Sequence, residues 1–165
     1  MNYAMSVIII GVGNRMLTDD GVGPRVVEQL RSRLSGRPGV AMLECNTGGI
    51  SLMEAMCGYQ KGIIVDAIVT GQARPGTVYS LAPSDLLQSK NVHSTHDANL
   101  TVALELGRLG GLSVPAQVKI LAIEAQDVAT FGEALTEEVE RAVPAAVGQV
   151  LQELQQTQCL LGDES

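Results

Sequence analysis

The sequence has few aromatic residues and few positive charges. Tryptophan is absent, and Phe and Tyr together make up only 2% of the 165 residues, so the core must be built from aliphatic side chains. Lys and Arg number 11 against 18 Asp and Glu, which gives a net charge of −7. A surface that binds nucleic acid needs clustered Lys and Arg, and the sequence has no such cluster. We therefore expect no nucleic-acid partner.

Long apolar runs and paired cysteines are also missing. The apolar run at residues 7–10 is shorter than the hydrophobic region of a secretory signal and lacks a basic flank. No stretch approaches the ~18–20 apolar residues that a membrane span needs. The cysteines Cys45, Cys57 and Cys159 are odd in number and form no CxxC motif, which favours a reducing compartment over a disulfide framework. These features predict a soluble, cytoplasmic protein with no membrane partner.

The remaining composition predicts a single folded domain. Hydrophobic residues account for 45% of the chain and charged residues for 18%, which excludes a disordered chain. The length fits one domain with one core, and no internal repeat or linker is visible. We expect one domain over residues 1–165, with a frayed tail from about residue 155.

Strand and helix patterns alternate along the chain. Buried strands are expected at residues 6–12, 40–43, 62–66 and 118–123, and an edge or antiparallel strand at 76–81. Helices are expected at residues 21–34 and 50–56, from about His96 to Leu109 after a cap at Ser94 or Thr95, and after Thr136. Pro144 should kink or reset the last helix, and residues 82–94 should be irregular. The alternation predicts an α/β three-layer sandwich with a twisted, mostly parallel sheet and helices on both faces.

The loop after the first strand allows two interpretations. Residues 11–16 read GVGNRM, which is similar to the start of a dinucleotide-binding GxGxxG motif, but Met16 occupies the place of the third glycine. The adjacent carboxylates of Asp19 and Asp20 would repel a phosphate, and no GK[ST] sequence follows. A Rossmann-type nucleotide-binding enzyme is therefore the weaker interpretation.

The second interpretation is a metal site at the edge of the sheet where the carboxyl ends of the strands meet. In open α/β sheets, ligands bind beyond the carboxyl ends of the strands, where the sequence delivers Asp20, Asp66 and the only two histidines, His93 and His96. Two carboxylates and one imidazole suit Ni, Zn, Co or Fe(II) better than Ca²⁺. Three protein ligands leave an open coordination position. Each residue taken alone could instead be a helix cap or a turn residue.

Three segments carry a resemblance to a known family. They read GVGNRMLTDDGVGPRVVEQL, GIIVDAIVTGQARPGTVY and STHDANL, and their order and spacing resemble the hydrogenase maturation proteases of nickel–iron hydrogenases. The resemblance implies an endopeptidase, a hydrolase that removes a C-terminal extension from the hydrogenase large-subunit precursor after nickel insertion. It also implies that the nickel is carried by this protein substrate, although another divalent metal could occupy the site in vitro.

The resemblance assigns roles to individual residues. The second acid of the pair falls on Asp20, the strand-end acid on Asp66 and the histidine on His96, with His93 as a rival three residues earlier. These three residues would contact the metal and carry the catalytic function, and Asp19 would be structural. The first acid is often Glu in this family, and Asp20 is one methylene shorter.

A substrate surface and the attacking group remain to be assigned. Asn14, Thr47, Gly48 and His93 are expected to belong to the substrate surface. The resemblance implies this for Thr47 and Gly48, since the family has a glycine-rich turn after the second strand. A carboxylate could act as general base on water, as in aspartyl proteases, or the nickel could polarise the carbonyl. Cys45 or Cys57 as nucleophile is less favoured, because neither has a recognisable base partner. A nonproteolytic metal-binding or metal-sensing module is the alternative function.

Overall fold

The computed structural model describes residues 6–88 and 99–162, which form alternating strands and helices. The strands are β1 (Val7–Val12), β2 (Val40–Cys45), β3 (Lys61–Ile68), β4 (Val78–Leu81) and β5 (Gln117–Glu124). The helices are α1 (Val22–Arg33), α2 (Gly49–Met56), α3 (Pro83–Gln88), α4 (Leu100–Leu109) and α5 (Glu137–Gly162), and a 3-10 turn (Thr18–Gly21) precedes α1. All five predicted strands and the four predicted helices are therefore present.

The five strands form one sheet in the order β2-β1-β3-β5-β4. All neighbouring strands are parallel except β4, which lies at the edge and pairs antiparallel with β5. Helices α1 and α5 pack on one face of the sheet, and α2, α3 and α4 pack on the other. The structure confirms the predicted α/β sandwich, its mostly parallel sheet and its antiparallel edge strand.

Burial on both faces explains why the central strands are continuous apolar runs. Every residue of β1 and of β3 is buried. Ile63 and Val65 face α1 and α5, while Ile64 and Ile68 face α2 and α4. A strand that is covered on both sides needs apolar residues at every position rather than at alternate ones. The aliphatic composition of the chain thus supplies two separate cores.

Two glycines bring the start of α1 against the sheet. A Cβ added at Gly23 would lie 2.3 Å from the carbonyl oxygen of Val65 and 2.4 Å from that of Val12. A Cβ added at Gly11 would lie 2.5 Å from the carbonyl oxygen of Gly23. Only glycine permits this approach, which carries the 3-10 turn to the carboxyl ends of β1 and β3.

The prediction of an irregular segment over residues 82–94 was wrong for its first part, because α3 occupies Pro83–Gln88. Pro83 stands at the first helical position, where its missing N–H is tolerated. The Asp85 carboxylate accepts a hydrogen bond from the backbone N–H of Ala82 at 2.7 Å, and Leu86 is buried in the core. A side-chain cap and one apolar contact therefore stabilise a helix too short to show an amphipathic period.

The last two helices also differ from their predicted limits. Helix α4 begins at Leu100, later than the expected start near His96, and the expected caps Ser94 and Thr95 lie outside the described residues. Helix α5 is not reset at Pro144 but continues through it to Gly162. The buried residues around Pro144, among them Val143 and Val147, are held in the core by packing. Tertiary contacts thus outweigh the local cost of proline.

Helix α5 also continues past residue 155, where a frayed tail was expected, to Gly162. Thr157 is buried, and its hydroxyl donates to the Glu153 carbonyl at 2.6 Å and accepts a hydrogen bond from Lys61 Nζ at 2.9 Å. This contact joins the end of α5 to the start of β3. Among the described residues, no helix is both long enough and apolar enough to cross a membrane.

Candidate active site

Asp20 lies on the 3-10 turn with one carboxylate oxygen held and the other available. Its Oδ2 accepts a hydrogen bond from the backbone N–H of Asn14 at 2.7 Å, and its Oδ1 has no hydrogen-bond partner among the described residues. Gly13 has φ +136°, and a Cβ there would lie 1.8 Å from the Asp20 carbonyl oxygen. The glycine loop is therefore shaped around Asp20, which is half-buried.

Asn14 stabilises the same loop. Its side-chain oxygen accepts a hydrogen bond from the backbone N–H of Met16 at 2.9 Å, and its carbonyl oxygen accepts one from Leu17 at 3.1 Å. An asparagine that closes a turn onto its own backbone in this way is typical of an Asx turn. Asn14 therefore has a structural role in addition to any contact with a substrate.

The neighbouring Asp19 is a structural residue, as the sequence interpretation had it. Its side chain is fully buried. The carboxylate accepts hydrogen bonds from the backbone N–H groups of Gln126 and Asp127, at 2.9 and 3.0 Å, and of Thr136, at 2.7 Å. The Thr136 hydroxyl donates to it as well. These bonds fix the turn to the segment between β5 and α5, whereas Asp20 keeps a carboxylate oxygen without a partner among the described residues.

Asp66 is fully buried and lies two residues before the end of β3. The pairing of β3 with β1 ends at Val65, whereas its pairing with β5 continues from Asp66 to Ile68. Asp66 is thus the first residue beyond the ladder between β1 and β3, although β3 itself extends further than predicted. Its Oδ1 accepts a hydrogen bond from the backbone N–H of Ala67 at 2.8 Å.

The two acids are brought to the same edge of the sheet. The turn that carries Asp20 contacts β3, and the helix that follows the turn lies against the carbonyl group of Val65, the residue before Asp66. The sequence separates these acids by 46 positions, and the sheet topology places both at the carboxyl ends of its central strands. The predicted position of both acids at this edge is therefore confirmed.

Thr47 and Gly48 belong to the loop between β2 and α2, at the same edge. The Gly13 N–H donates to the Cys45 carbonyl at 2.9 Å, which joins this loop to the glycine loop after β1. Thr47 is exposed and Gly48 is half-buried. The two residues thus lie on the surface near Asp20, where a substrate surface was expected.

His93 and His96 lie outside the described residues. The chain resumes at Asn99, whose Cβ lies 3.7 Å from a Cβ added at Gly49, the first residue of α2. Gly49 directly follows the loop at the end of β2, so Asn99 lies beside the candidate site. Within residues 6–88 and 99–162, no three His, Cys, Asp or Glu side chains form a group that could hold a metal ion.

Two further acids at this edge have structural partners. Glu124 at the end of β5 is buried and accepts hydrogen bonds from the Tyr79 hydroxyl at 3.0 Å and from Thr70 and Gly71 of the loop after β3. Glu44 at the end of β2 forms salt bridges with Arg15 and Arg31. Glu124 was not among the predicted site residues, although its position directly after a predicted strand could have indicated it.

Arg15 forms a small ion cluster beside the glycine loop. Its guanidinium group lies 3.0 Å from Glu28 and 3.0 Å from Glu44. The hydrogen bond with Glu28 is the largest cause, and together with the bond to Glu44 it raises the pKa of Arg15 above the ordinary arginine value. The cluster is exposed to solvent, so we expect it to position the loop more than to stabilise the fold.

The geometry disfavours the nucleotide-binding interpretation. A phosphate at a glycine loop is bound by free backbone N–H groups. Here the N–H of Asn14 is already bound by the carboxylate of Asp20, which would also repel a phosphate. The fold and the site therefore define an α/β protein in which carboxylates, rather than a phosphate-binding loop, lie at the carboxyl ends of the central strands.

Comparisons with known proteins identify the family. The family model described as hydrogenase maturation protease matches residues 24–153. The chain is 30% identical over 154 residues to the hydrogenase 2 maturation protease of Escherichia coli K12, with 93% of each protein covered. The solved structure of the hydrogenase maturating endopeptidase HybD from E. coli superposes with a TM-score of 0.80 at 30% identity, covering 93% of this chain and 94% of that one. The maturation protease HybD from Thermococcus kodakarensis gives 0.73 at 26% identity, with 91% and 99% covered.

The chain belongs to the hydrogenase maturation protease family. The expected fold, the family resemblance and the enzyme class, a hydrolase that acts on peptide bonds, are all confirmed by these matches.

Proposed function

We propose that this endopeptidase removes the C-terminal extension of a nickel–iron hydrogenase large-subunit precursor after nickel insertion. In this proposal Asp20, Asp66 and His96 recognise the nickel that the precursor already holds. The processing takes place in the cytoplasm, where a thiol such as that of Cys57 persists. The metal is thus part of the substrate, and its presence reports that the precursor is complete.

One observation carries the proposal: Asp20 has a carboxylate oxygen with no hydrogen-bond partner within residues 6–88 and 99–162, at the edge of the sheet that also holds Asp66. Its other oxygen is fixed by Asn14, so the side chain is held in place before any ligand arrives. Two carboxylates and an imidazole match the preferences of a borderline divalent ion such as Ni²⁺. A ligand set of three leaves coordination positions for groups of the precursor.

Binding of the substrate's metal would orient the peptide bond to be cleaved. Fixing a reacting bond beside its attacking group accounts for several kcal/mol of the barrier in well-oriented reactions. In our proposal water attacks the carbonyl carbon, a carboxylate at this edge accepts the water proton, and the C–N bond breaks as the leaving amine gains a proton. Cys57 does not fit a nucleophile, because its Sγ contacts the carbonyl oxygen and the sulfur of Met53.

The test is processing of a nickel-loaded precursor by single variants. Asp20→Asn and Asp66→Asn should each lower the processing rate by at least about a hundredfold, because a neutral amide is a poor nickel ligand and a poor base. Glu133→Gln is the matched control for Asp20, since Glu133 lines a cavity together with Gly21, the residue after Asp20, but is not in the proposed set. The control should retain normal processing.

The histidines serve as controls for each other. His96→Ala should abolish processing, whereas His93→Ala should retain it. The reverse result would transfer the role to His93. Normal processing by all of the Asp20, Asp66 and His96 variants would contradict nickel recognition by this site. Shortening of the precursor is measured by mass spectrometry, with circular dichroism of each variant to show that it is folded.

A further inference from the structure

A cavity lies at the end of the sheet opposite to the candidate active site. It has a volume of about 510 Å³ and opens at the amino ends of β3 and β5, between α5 on one side and α3 and α4 on the other. Lys61, the first residue of β3, lines it. Asp66 lies five positions further along β3, a distance of roughly 16 Å. The cavity is therefore distinct from the candidate active site.

The charge of this cavity is opposite to that of the whole chain. Its charged lining residues are three cations, Lys61, Arg108 and Lys119, and one carboxylate, Glu153. These groups leave a net charge of about +2 in a protein whose total is −7. Glu153 is shared, because Lys61 Nζ lies 2.8 Å from its Oε2 and Lys119 Nζ lies 3.9 Å from its Oε1. One carboxylate thus neutralises at most one of two lysines.

The cations retain unused hydrogen-bond donors. Lys61 is only 7% exposed, and its ammonium group donates to Glu153 and to the Thr157 hydroxyl. An ammonium group has three N–H donors, so one remains without a partner among the described residues. The side chain of Arg108 is exposed and forms no hydrogen bond or salt bridge within the described residues. Buried or clustered cations without enough acceptors are unfavourable, and an anion in the cavity would offset this cost.

The remaining lining fits the body of a small organic molecule. Apolar groups of Pro83, Leu104, Ala116 and Val118 line the cavity beside the cations. A volume of this size lies within the range of small-molecule sites, which combine an apolar lining with a few charged groups. Three cations are too few for the extended polyanion surface that nucleic acid requires.

We propose that this cavity binds a small organic anion through a carboxylate or phosphate group, held by Lys61, Lys119 and Arg108. The site is independent of the nickel-recognition proposal, since it shares no residue with it. The ligand's oxyanion would accept hydrogen bonds from the three cations, and its apolar part would pack against Leu104 and Val118.

The experiment is calorimetric titration of the whole protein, at constant ionic strength, with two probes: inorganic phosphate and the dicarboxylate glutarate. Saturable binding of either probe at one site supports the proposal, and the stronger probe identifies the preferred oxyanion. Arg108→Gln and Lys119→Gln should each weaken binding by roughly tenfold, since each removes a charged hydrogen bond. Both side chains are partly exposed, so both variants should fold.

Arg74→Gln is the matched control, because it removes one positive charge from an exposed position outside the cavity. It should bind the probes as the unmodified protein does. Absence of saturable binding of both probes up to 10 mM, which is about the weakest affinity that a specific site would show, overturns the proposal. Equal weakening by all three variants also overturns it, because that result indicates general electrostatic attraction only.

Discussion

At the scale of single residues, burial separates two adjacent aspartates into different roles. Asp19 is fully buried and surrounded by donors from the segment before α5, whereas Asp20 keeps one oxygen available. The sequence shows only two neighbouring acids. The family resemblance distinguished them, and residue types alone could not, because the donors that bind Asp19 lie more than 100 positions away along the chain.

The first prediction concerns these two acids. Asp19→Asn should lower the free energy of unfolding by about 2–4 kcal/mol, because the amide NH₂ replaces one carboxylate oxygen. It cannot accept the bonds that this oxygen received, either from Gln126 and Asp127 or from Thr136. Asp20→Asn loses one bond to a half-exposed group and should cost less than about 1 kcal/mol. Urea unfolding of both variants measures the difference. Equal stability of the two would contradict the structural role of Asp19.

A second residue-scale prediction concerns Asp127. The Thr130 hydroxyl and the backbone N–H groups of Thr130 and Ala129 hold the pKa of Asp127 below its usual range. Because the folded-state pKa is depressed, the stabilisation is present above the unfolded-state pKa and is lost as the pH falls through the folded-state pKa. NMR titration of the Asp127 carboxyl carbon should give a midpoint below that of a peptide aspartate. A midpoint at or above the peptide value would be inconsistent with these hydrogen bonds.

At the scale of secondary-structure elements, local patterns predicted the strands and long helices, and tertiary contacts decided their limits. The apolar runs of β1 and β3 and the amphipathic period of α1 were visible in the sequence. The cap formed by Asp85 on α3 and the contact of Thr157 with Lys61 were not, because each depends on a side chain meeting a partner in the fold. Pro144 was overestimated as a helix breaker for the same reason.

The packing of α1 on the sheet gives a prediction at this scale. Gly23→Ala would place a methyl group 2.3 Å from the Val65 carbonyl oxygen and should destabilise the fold by about 3 kcal/mol or more. Gly148→Ala on α5 is the control, since a Cβ there meets nothing within 4 Å, and it should stabilise the protein by up to about 1 kcal/mol. Thermal unfolding of the two variants compares their stabilities. Similar melting temperatures would show that the close approach is not required.

At the scale of the whole molecule, the sheet topology assembles one reactive edge from distant segments. Asp20, Asp66 and the loop with Thr47 converge because β1, β2 and β3 are neighbouring parallel strands. The sequence predicted this edge, since parallel strands place their carboxyl ends together. It did not reveal the cationic cavity at the other end, because Lys61, Arg108 and Lys119 share no motif and are brought together only by the packing of α4 and α5 around β3 and β5.

The most direct test of nickel recognition is processing of the same precursor with and without its nickel. The unmodified protein is incubated with nickel-loaded and with nickel-free large-subunit precursor, and removal of the C-terminal extension is followed by mass spectrometry. Our account predicts that only the nickel-loaded precursor is shortened, because the metal docks the scissile segment on Asp20, Asp66 and His96. Equal rates for the two precursors would contradict it.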